Sequence, residues 1–451
     1  MTEKFDIGII GAGPGGYAAA IRAAQRGKRV VMFEKDCPGG VCLNRGCIPT
    51  KVVLHCADFY KNLKKAEKFG INIENASYSY EKIFERKNIV TQKIKTNLRK
   101  LILSHDVVIV DEEARITGKN TITAGENKYE CENIIIATGA KPAKIANFET
   151  DGKHVVNSDE LLELNKIPDN ILIAGSGAVG IEWARIFSEL GKNVTIVEIA
   201  PALLPAADAE ISTRVERLFK KDKIRFFKST SITKIEKNQV FLDNENVIDA
   251  DLILFAAGRA PVLPKIENVK LEMDGKFIKT DENFRTNIEN IFAIGDVNGK
   301  IQLAHAATHQ ALSVVDFITR NDPIHFDVSK IPSVVYGNPE IAWVGKNEKQ
   351  LGETDYKVSC FPVAALGKAQ ADDEIDGFIK VLSIDGKIVG AHIVAPEASA
   401  LIQQFALMID NEITEENILK TTFAHPTYSE GVFEAILGLG DLSLSMLKVK
   451  K

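Results

Sequence analysis

Two cysteines stand five positions apart, Cys42 and Cys47 in GGVCLNRGCIPTK. A close pair of this kind points to redox or metal chemistry rather than to a structural bridge. A metal site would need further Cys or His ligands at suitable spacing. Only His55 and Cys56 lie nearby, and they form no second paired motif. Ile48-Pro49-Thr50 reads as the opening of a helix, where proline is tolerated in the first turn. A thiolate at such a terminus is stabilised by the helix dipole, so Cys47 is expected to have a lowered pKa. Cys37, Cys56, Cys131 and Cys360 lack this context and read as packing residues.

A second candidate lies near the end of the chain, in TFAHPTYSEG, with His425, Pro426 and Glu430. Pro426 fixes the local turn, and the five-residue separation can return Glu430 to one imidazole nitrogen. An imidazole held in that way is oriented and made more basic. That suits a general base near neutral pH.

The elements that position these groups show in an internal repeat. IGIIGAGPGG at 7–16 and ILIAGSGAVG at 171–180 each open with a short apolar run, as a buried parallel strand does. Each then gives G-x-G-x-x-G: Gly11, Gly13 and Gly16, then Gly175, Gly177 and Gly180. A helical stretch follows each motif, then a β-rich run closing on an acid, Glu34 or Glu198. The offset is 164 residues from Gly11 to Gly175 and from Glu34 to Glu198. One βαβ unit therefore occurs twice. In such a unit the first glycine makes the tight turn and the second admits a pyrophosphate. The third lets helix and strand pack closely, and the helix N-terminus supplies positive charge. Two bound dinucleotides are the inference.

The remaining chain divides coarsely. Residues 58–105 are rich in Lys, Glu and Leu at helical spacing, and 106–142 are short β-type runs ending in IIIATGAKP. From about Pro332 come VSCFPV, FIKVLSI and KIVGAHIV, read as strands, followed by helices. At 451 residues the chain has room for about three domains. With 56 Lys and Arg against 61 Asp and Glu it leaves no basic footprint for nucleic acid. Its longest stretches without a charged residue, 7–21 and 301–315, have 15 residues each, too short to span a bilayer. MTEKFD is no secretory or transit segment. The expectation is a cytoplasmic protein with neither membrane, nucleic acid nor metal among its partners.

Together these residues carry a resemblance. The chain resembles the pyridine nucleotide-disulfide oxidoreductase family over essentially its whole length. The elements that carry it are GAGPGG with Glu34, CLNRGC, ATGAKP at 137–142, GSGAVG with Glu198, AAGRAP at 256–261, AIGD at 293–296, QLAHAA at 302–307 and HPTYSE at 425–430.

The resemblance implies an α/β fold of two Rossmann-like domains, for FAD and NAD, with a C-terminal α+β dimerisation domain. The implied segments are 1–145 and 271–331 for FAD, 146–270 for NAD and 332–451 for the interface. Gly11, Gly13, Gly16, Glu34, Lys35, Gly40, Lys51, Thr138, Gly139, Asp296 and Ala304 would serve FAD, with Lys51 paired to Glu182. Gly175, Gly177, Gly180, Glu182, Glu198 and Gly258 would serve NAD. Cys42 and Cys47 would form a redox disulfide, Cys42 exchanging with substrate and Cys47 touching the flavin. His425 and Glu430 would act on the partner subunit's disulfide, which implies an obligate homodimer.

Within the family the sequence favours the branch that oxidises protein-bound dihydrolipoyl groups with NAD⁺ in 2-oxoacid dehydrogenase complexes. Its partners there would be lipoyl domains and an acyltransferase core. Glu198 would repel a 2′-phosphate, and 199–206 supplies no Arg to receive one. IPTK resembles the lipoamide pattern more than the glutathione one, and the tail MLKVKK lacks the vicinal cysteines of mercuric reductases. The alternative is a glutathione reductase-like enzyme using NAD(P)H. Val41, Arg45, Thr50 and Tyr428 depart from the common pattern. The chain starts at its first strand, so no N-terminal lipoyl domain is expected.

Overall fold

A computed structural model describes residues 3–145 and 147–446. Ala146, the expected boundary between the first two segments, and 447–451 of the tail lie outside the described residues. The chain forms two compact units. One comprises the chain up to Val53, Ser79–Lys166 and Ala257–Val328; the other comprises Leu54–Tyr78, Ile167–Ala256 and the chain from Ser329 on.

In the first unit, strand β1 (Glu3–Ile10) leads into helix α1 (Pro14–Gln25) and strand β2 (Val30–Phe33). All four residues of β2 are buried, as a central parallel strand requires. Fully burying side chains of this size contributes roughly 1.5–3 kcal/mol each. β1 lies between β2 and Asn127–Ile136, parallel to both, and Ile291–Ala293 extends the sheet beyond Ile134–Ile136. Alanines make α1 slim: Ala19, Ala20 and Ala23 are fully buried, in one core with Ala311, Val314 and Val315 of helix Ala304–Arg320. Asp316 of that helix accepts hydrogen bonds from Arg22 at 3.0 and 2.6 Å and from Arg26 at 3.0 and 3.2 Å. Helices α2 (Gly40–Arg45) and α3 (Cys47–Lys64) follow β2.

The second unit repeats the pattern with strand Asn170–Ala174, helix Ala178–Glu189 and strand Asn193–Val197. Parallel pairing places Arg225–Phe227 beyond Asn193–Val197 and Leu252–Phe255 on the other side of Asn170–Ala174. From Ser333 the strands become antiparallel, in the order Ser333–Val335, Glu340–Gly345, Lys387–Ala395, Phe378–Ile384, Lys357–Pro362. Leu401, Ile402 and Phe405 of helix Ala398–Asp410 and Val432, Ala435 and Ile436 of helix Ser429–Gly438 share a core with this sheet. The fold is thus α/β, with two Rossmann-like units and a C-terminal α+β layer. Among the described residues no helix is long and apolar enough to cross a membrane.

Candidate active site

Cys42 and Cys47 are joined in a disulfide with their Cα atoms 4.6 Å apart. Cys42 sits in α2, and Cys47 is the first residue of α3, where the Ile-Pro-Thr sequence predicts a helix start. The loop before α2 is packed backbone to backbone against the first glycine turn. The Gly39 amide donates to the Ala12 carbonyl at 2.7 Å. A Cβ on Gly40, whose φ is +56°, would stand 2.7 Å from the Gly13 Cα. Only glycine permits that approach. Asn44 ties α2 down by donating to the Gly40 carbonyl at 2.8 Å. Arg45, between the cysteines, turns to an ion pair with Asp36.

Around the first turn, Gly11 has φ +102°, and a Cβ on Gly16 would strike the Gly11 carbonyl oxygen. Glu34 accepts the amides of Ala12 and Asp36, both at 2.9 Å. Burial pushes its carboxyl up, against the opposing pull of the Ala12 and Lys35 amides and of the Lys35 and Arg45 charges. The Lys35 side chain itself turns outward to Glu113 at 3.0 Å. Thr138 holds a buried hydroxyl that has no hydrogen-bond partner among the described residues, beside Gly139 at φ +67°. Asp296 stands in a short 3₁₀ turn, where burial raises its pKa and Arg259 opposes the rise. Ala304 opens the helix Ala304–Arg320, and Lys51 lies half-buried in the second turn of α3.

Three residues escaped the sequence reading. Arg259 donates to the Ala140 carbonyl at 2.7 Å and lies 3.9 Å from Asp296. Its signal was to be the lone charge in AAGRAP. Gln310, fully buried, accepts the Gly295 amide at 2.8 Å and so shapes the turn that carries Asp296. The third is Ser176, in the second glycine turn.

There Gly175 has φ +105° and a Cβ on Gly180 would strike the Gly175 carbonyl oxygen. Glu198, buried, accepts the Ser176 amide at 2.7 Å, the Ser176 hydroxyl at 2.6 Å and the Ala200 amide at 2.8 Å. Glu182, also buried, accepts the Tyr336 amide at 3.0 Å. Gly258, at φ +92°, falls in the first unit, and its carbonyl accepts the Ala143 amide at 3.0 Å.

The helix N-termini suit anions. Gly13 and Gly177 precede α1 and helix Ala178–Glu189 with no side-chain cap and no acid in the first turn. Leu303 precedes helix Ala304–Arg320 in the same state. Five other helices are closed by Ser79, Asn157, Asp208, Asn347 and Thr414, while helix Ala398–Asp410 also opens without a side-chain cap or an early acid. Orphan N–H groups at the two glycine turns, with backbone where a Cβ would stand, fit dinucleotide phosphates. The buried, unpartnered Thr138 hydroxyl fits a polar ligand edge.

His425 and Glu430 meet in the second unit, with Nδ1 and Oε1 2.8 Å apart. The other carboxylate oxygen accepts the Thr427 amide at 2.8 Å. Burial pushes the Glu430 carboxyl up, but the bonds from His425 and Thr427 outweigh it and hold it below the usual range. A carboxylate so held only accepts, which makes Nδ1 the donor and leaves the Nε2 lone pair to take a proton. The imidazole is 75% exposed, open to a substrate. By contrast, burial first of all pushes the Cys131 and Cys360 thiols up to about 12, which keeps both protonated and unreactive. Among the described residues, no group of three or more His, Cys, Asp or Glu is placed to hold a metal ion.

Comparison with known proteins agrees with this arrangement. Residues 5–311 match the family model described as pyridine nucleotide-disulphide oxidoreductase, and 331–436 match that family's dimerisation domain. A dihydrolipoyl dehydrogenase of Zymomonas mobilis is 35% identical, covering 97% of this chain and 98% of the relative. One from Chlamydia trachomatis is 36% identical over 100% of both chains. One from Bacillus subtilis is 34% identical over 97% and 98%. In fold, the chain is similar to crystalline LpdA from Mycobacterium tuberculosis, with TM-score 0.89, 24% identity, and 97% of this chain and 100% of that one covered. It is also similar to the HOCl-induced flavoprotein disulfide reductase RclA from Escherichia coli, with TM-score 0.84, 24% identity, and 97% and 99% covered. With its disulfide at the head of α3 and its two glycine turns, the chain belongs to the pyridine nucleotide-disulphide oxidoreductase family.

Proposed function

We propose that the protein is a homodimeric, cytoplasmic dihydrolipoyl dehydrogenase that oxidises protein-bound dihydrolipoyl groups with NAD⁺. The observation that carries this reading is the Cys42–Cys47 disulfide set against the first glycine turn through Gly39 and Gly40. The curated relatives named dihydrolipoyl dehydrogenase support the substrate, and the matched dimerisation domain supports the homodimer.

In this reading Gly11, Gly13, Gly16, Glu34, Lys35, Gly40, Lys51, Thr138, Gly139, Asp296 and Ala304 hold FAD. Gly175, Gly177, Gly180, Glu182, Glu198 and Gly258 hold NAD. Segments 1–145 and 271–331 form the FAD domain, 146–270 the NAD domain and 332–451 the interface. The buried Glu198 carboxylate favours ribose hydroxyls and disfavours a 2′-phosphate.

A dihydrolipoyl thiolate attacks the Cys42 sulfur, breaking the disulfide and leaving Cys47 as a thiolate at the α3 N-terminus, where the helix dipole stabilises it. His425 of the partner subunit, held by its Glu430, takes the proton of the second substrate thiol at Nε2. That thiolate then attacks the substrate sulfur of the mixed disulfide. Lipoyl disulfide leaves, and Cys42 departs as a thiolate that recovers the proton from the imidazolium. FAD, held by the residues named above, would supply the redox chemistry that links the cysteine pair to NAD⁺. Lipoyl domains docked on an acyltransferase core would deliver the substrate.

The purified protein should reduce lipoamide with NADH far faster than it reduces glutathione disulfide. Preference for glutathione disulfide, or bound flavin without disulfide turnover, would sink this reading.

A further inference from the structure

The His425–Glu430 pair sits on a loop that is anchored from below by the neighbouring residue of its own motif. Tyr428, immediately before helix Ser429–Gly438, is 3% exposed, and its ring belongs to the core that contains Leu366, Ala369, Ile379 and Val432. Its hydroxyl donates to Asp372 Oδ2 at 3.0 Å. Asp372 ends helix Gly367–Asp372, and its other oxygen accepts from Lys368 at 2.9 Å. The loop is therefore fastened to a second helix, 56 residues away in sequence, through a buried phenol.

The position of this anchor matters because of what the loop carries. Thr427, one residue before Tyr428, donates its amide to Glu430. Thr427 also donates its hydroxyl to the Ala424 carbonyl at 2.8 Å, closing the turn around His425. The Tyr428 carbonyl accepts the Gly431 amide at 3.0 Å, so Tyr428 and Glu430 share one tight turn. Any shift of Tyr428 moves the Thr427 amide and the Glu430 carboxylate together. His425, mostly exposed, follows Glu430.

We propose that Tyr428 is a positioning residue for the His425–Glu430 base, its bond to Asp372 setting the orientation of the imidazole. The proposal deepens the dihydrolipoyl reading of this site and rests on it. The bond holds throughout the working pH range. Burial, and then Asp372, pushes the phenol upward, while the Lys368 bond holds Asp372 below the usual carboxylate range. The charged groups that face the phenol are Asp372, Glu374 and Glu397; Lys368 stands behind Asp372, and Glu430 faces the imidazole.

Tyr428→Phe keeps the ring in the core and removes only the hydroxyl. It should lower kcat for dihydrolipoamide about tenfold, a fraction of the 10²–10⁴-fold that a positioned base contributes, with the KM for NAD⁺ unchanged. The pH profile of dihydrolipoamide turnover should change with it, which a merely structural role would not produce. Reduction of a one-electron dye by NADH, which bypasses the disulfide, should stay at the wild-type rate. Asp372→Ala should reproduce these effects, and the double variant should add nothing to either.

The His425 Nδ1–H resonance, followed by NMR among the eight histidines, gives the same answer without turnover: it should lose its hydrogen-bonded position in both variants. An unmoved resonance and profile would show that Tyr428 only fills the core and would overturn the proposal. Failure of the wild-type protein to turn over dihydrolipoamide would sink the functional reading instead, while the resonance still decides the role of Tyr428.

Discussion

The two glycine turns agree in spacing up to their acids and then part. Glu34 and Glu198 each fold back onto the amide of the residue after the first motif glycine, Ala12 in one unit and Ser176 in the other. After the acid, the first unit returns Gly39 to the Ala12 carbonyl, whereas the second returns Leu204 to the Ser176 carbonyl at 3.1 Å. The return contact has slipped by one residue relative to the 164-residue repeat. In the first unit the slip puts Gly40 against Gly13 and launches α2 and α3 with the two cysteines. In the second, Ser176 donates its hydroxyl to Glu198 and accepts the Leu204 amide at 3.3 Å, closing the loop on itself. The same turn leads on to the cysteine pair in one copy and closes on itself in the other.

The sharpest way to break this comparison is to fill the third glycine of each motif. Gly16→Val should yield protein without bound flavin, because the new Cβ strikes the Gly11 carbonyl. Gly180→Val should keep flavin and lose NAD⁺ binding by about a hundredfold or more, the scale of a lost pyrophosphate contact set. Absorbance spectra and NAD⁺ titration decide. Loss of flavin in both variants would show that the copies are not independent.

The slip itself can be tested next. Gly40→Ala puts a Cβ 2.7 Å from the Gly13 Cα at a positive φ, a strain of order 1–3 kcal/mol. Dithiol turnover should drop about tenfold or more, one factor of ten per 1.4 kcal/mol.

Helix α3, which the second copy does not have, brings a titrating pair. Asp58 of α3 and Glu189 each keep one buried oxygen with no donor, and Glu189 also takes Lys61 at 2.9 Å. Burial, then the nearby Glu189 charge, pushes the Asp58 carboxyl up to about 8, against the pull of Lys61 and Arg185. A shared proton reconciles the two acceptors. The unfolded chain releases this proton near pH 4 and the folded chain only near 8, so stability should fall as pH rises across that window. The slope should be at most about 1.4 kcal/mol per pH unit. Asp58→Asn should flatten the plot of Tm against pH; an unchanged slope would refute the shared proton.

The smallest effect is expected at Ser176. Ser176→Ala makes the second turn chemically like the first and should raise the KM for NADH about three- to tenfold, the worth of one hydrogen bond to a charged group. Bound flavin should be unchanged.

These contrasts also show what was legible in the sequence. The glycines, their acids, the cysteine pair and the His425–Glu430 pair could be read because each motif is local, its parts fixed by chain spacing. Helix α3 starts at Cys47 as Pro49 predicts. What could not be read depends on partners far along the chain. Arg259 finds the Ala140 carbonyl across 119 residues, and Tyr428 finds Asp372 across 56. Lys35 has the right place in the motif, yet its side chain leaves for Glu113, 78 residues on. No local pattern encodes a contact that only the folded sheet creates.

The clamp between α1 and helix Ala304–Arg320 carries a consequence for how the chain is born. Asp316 closes on Arg22 across 294 residues, and Ile291–Ala293 completes the sheet begun by β1. A ribosome must therefore deliver some 300 residues before the first unit can close. The strands of the second βαβ repeat, finished by Phe255, have only local partners to find. The copy made first is the copy that must wait, and until Asp316 emerges the alanine face of α1 lacks the helix it packs against.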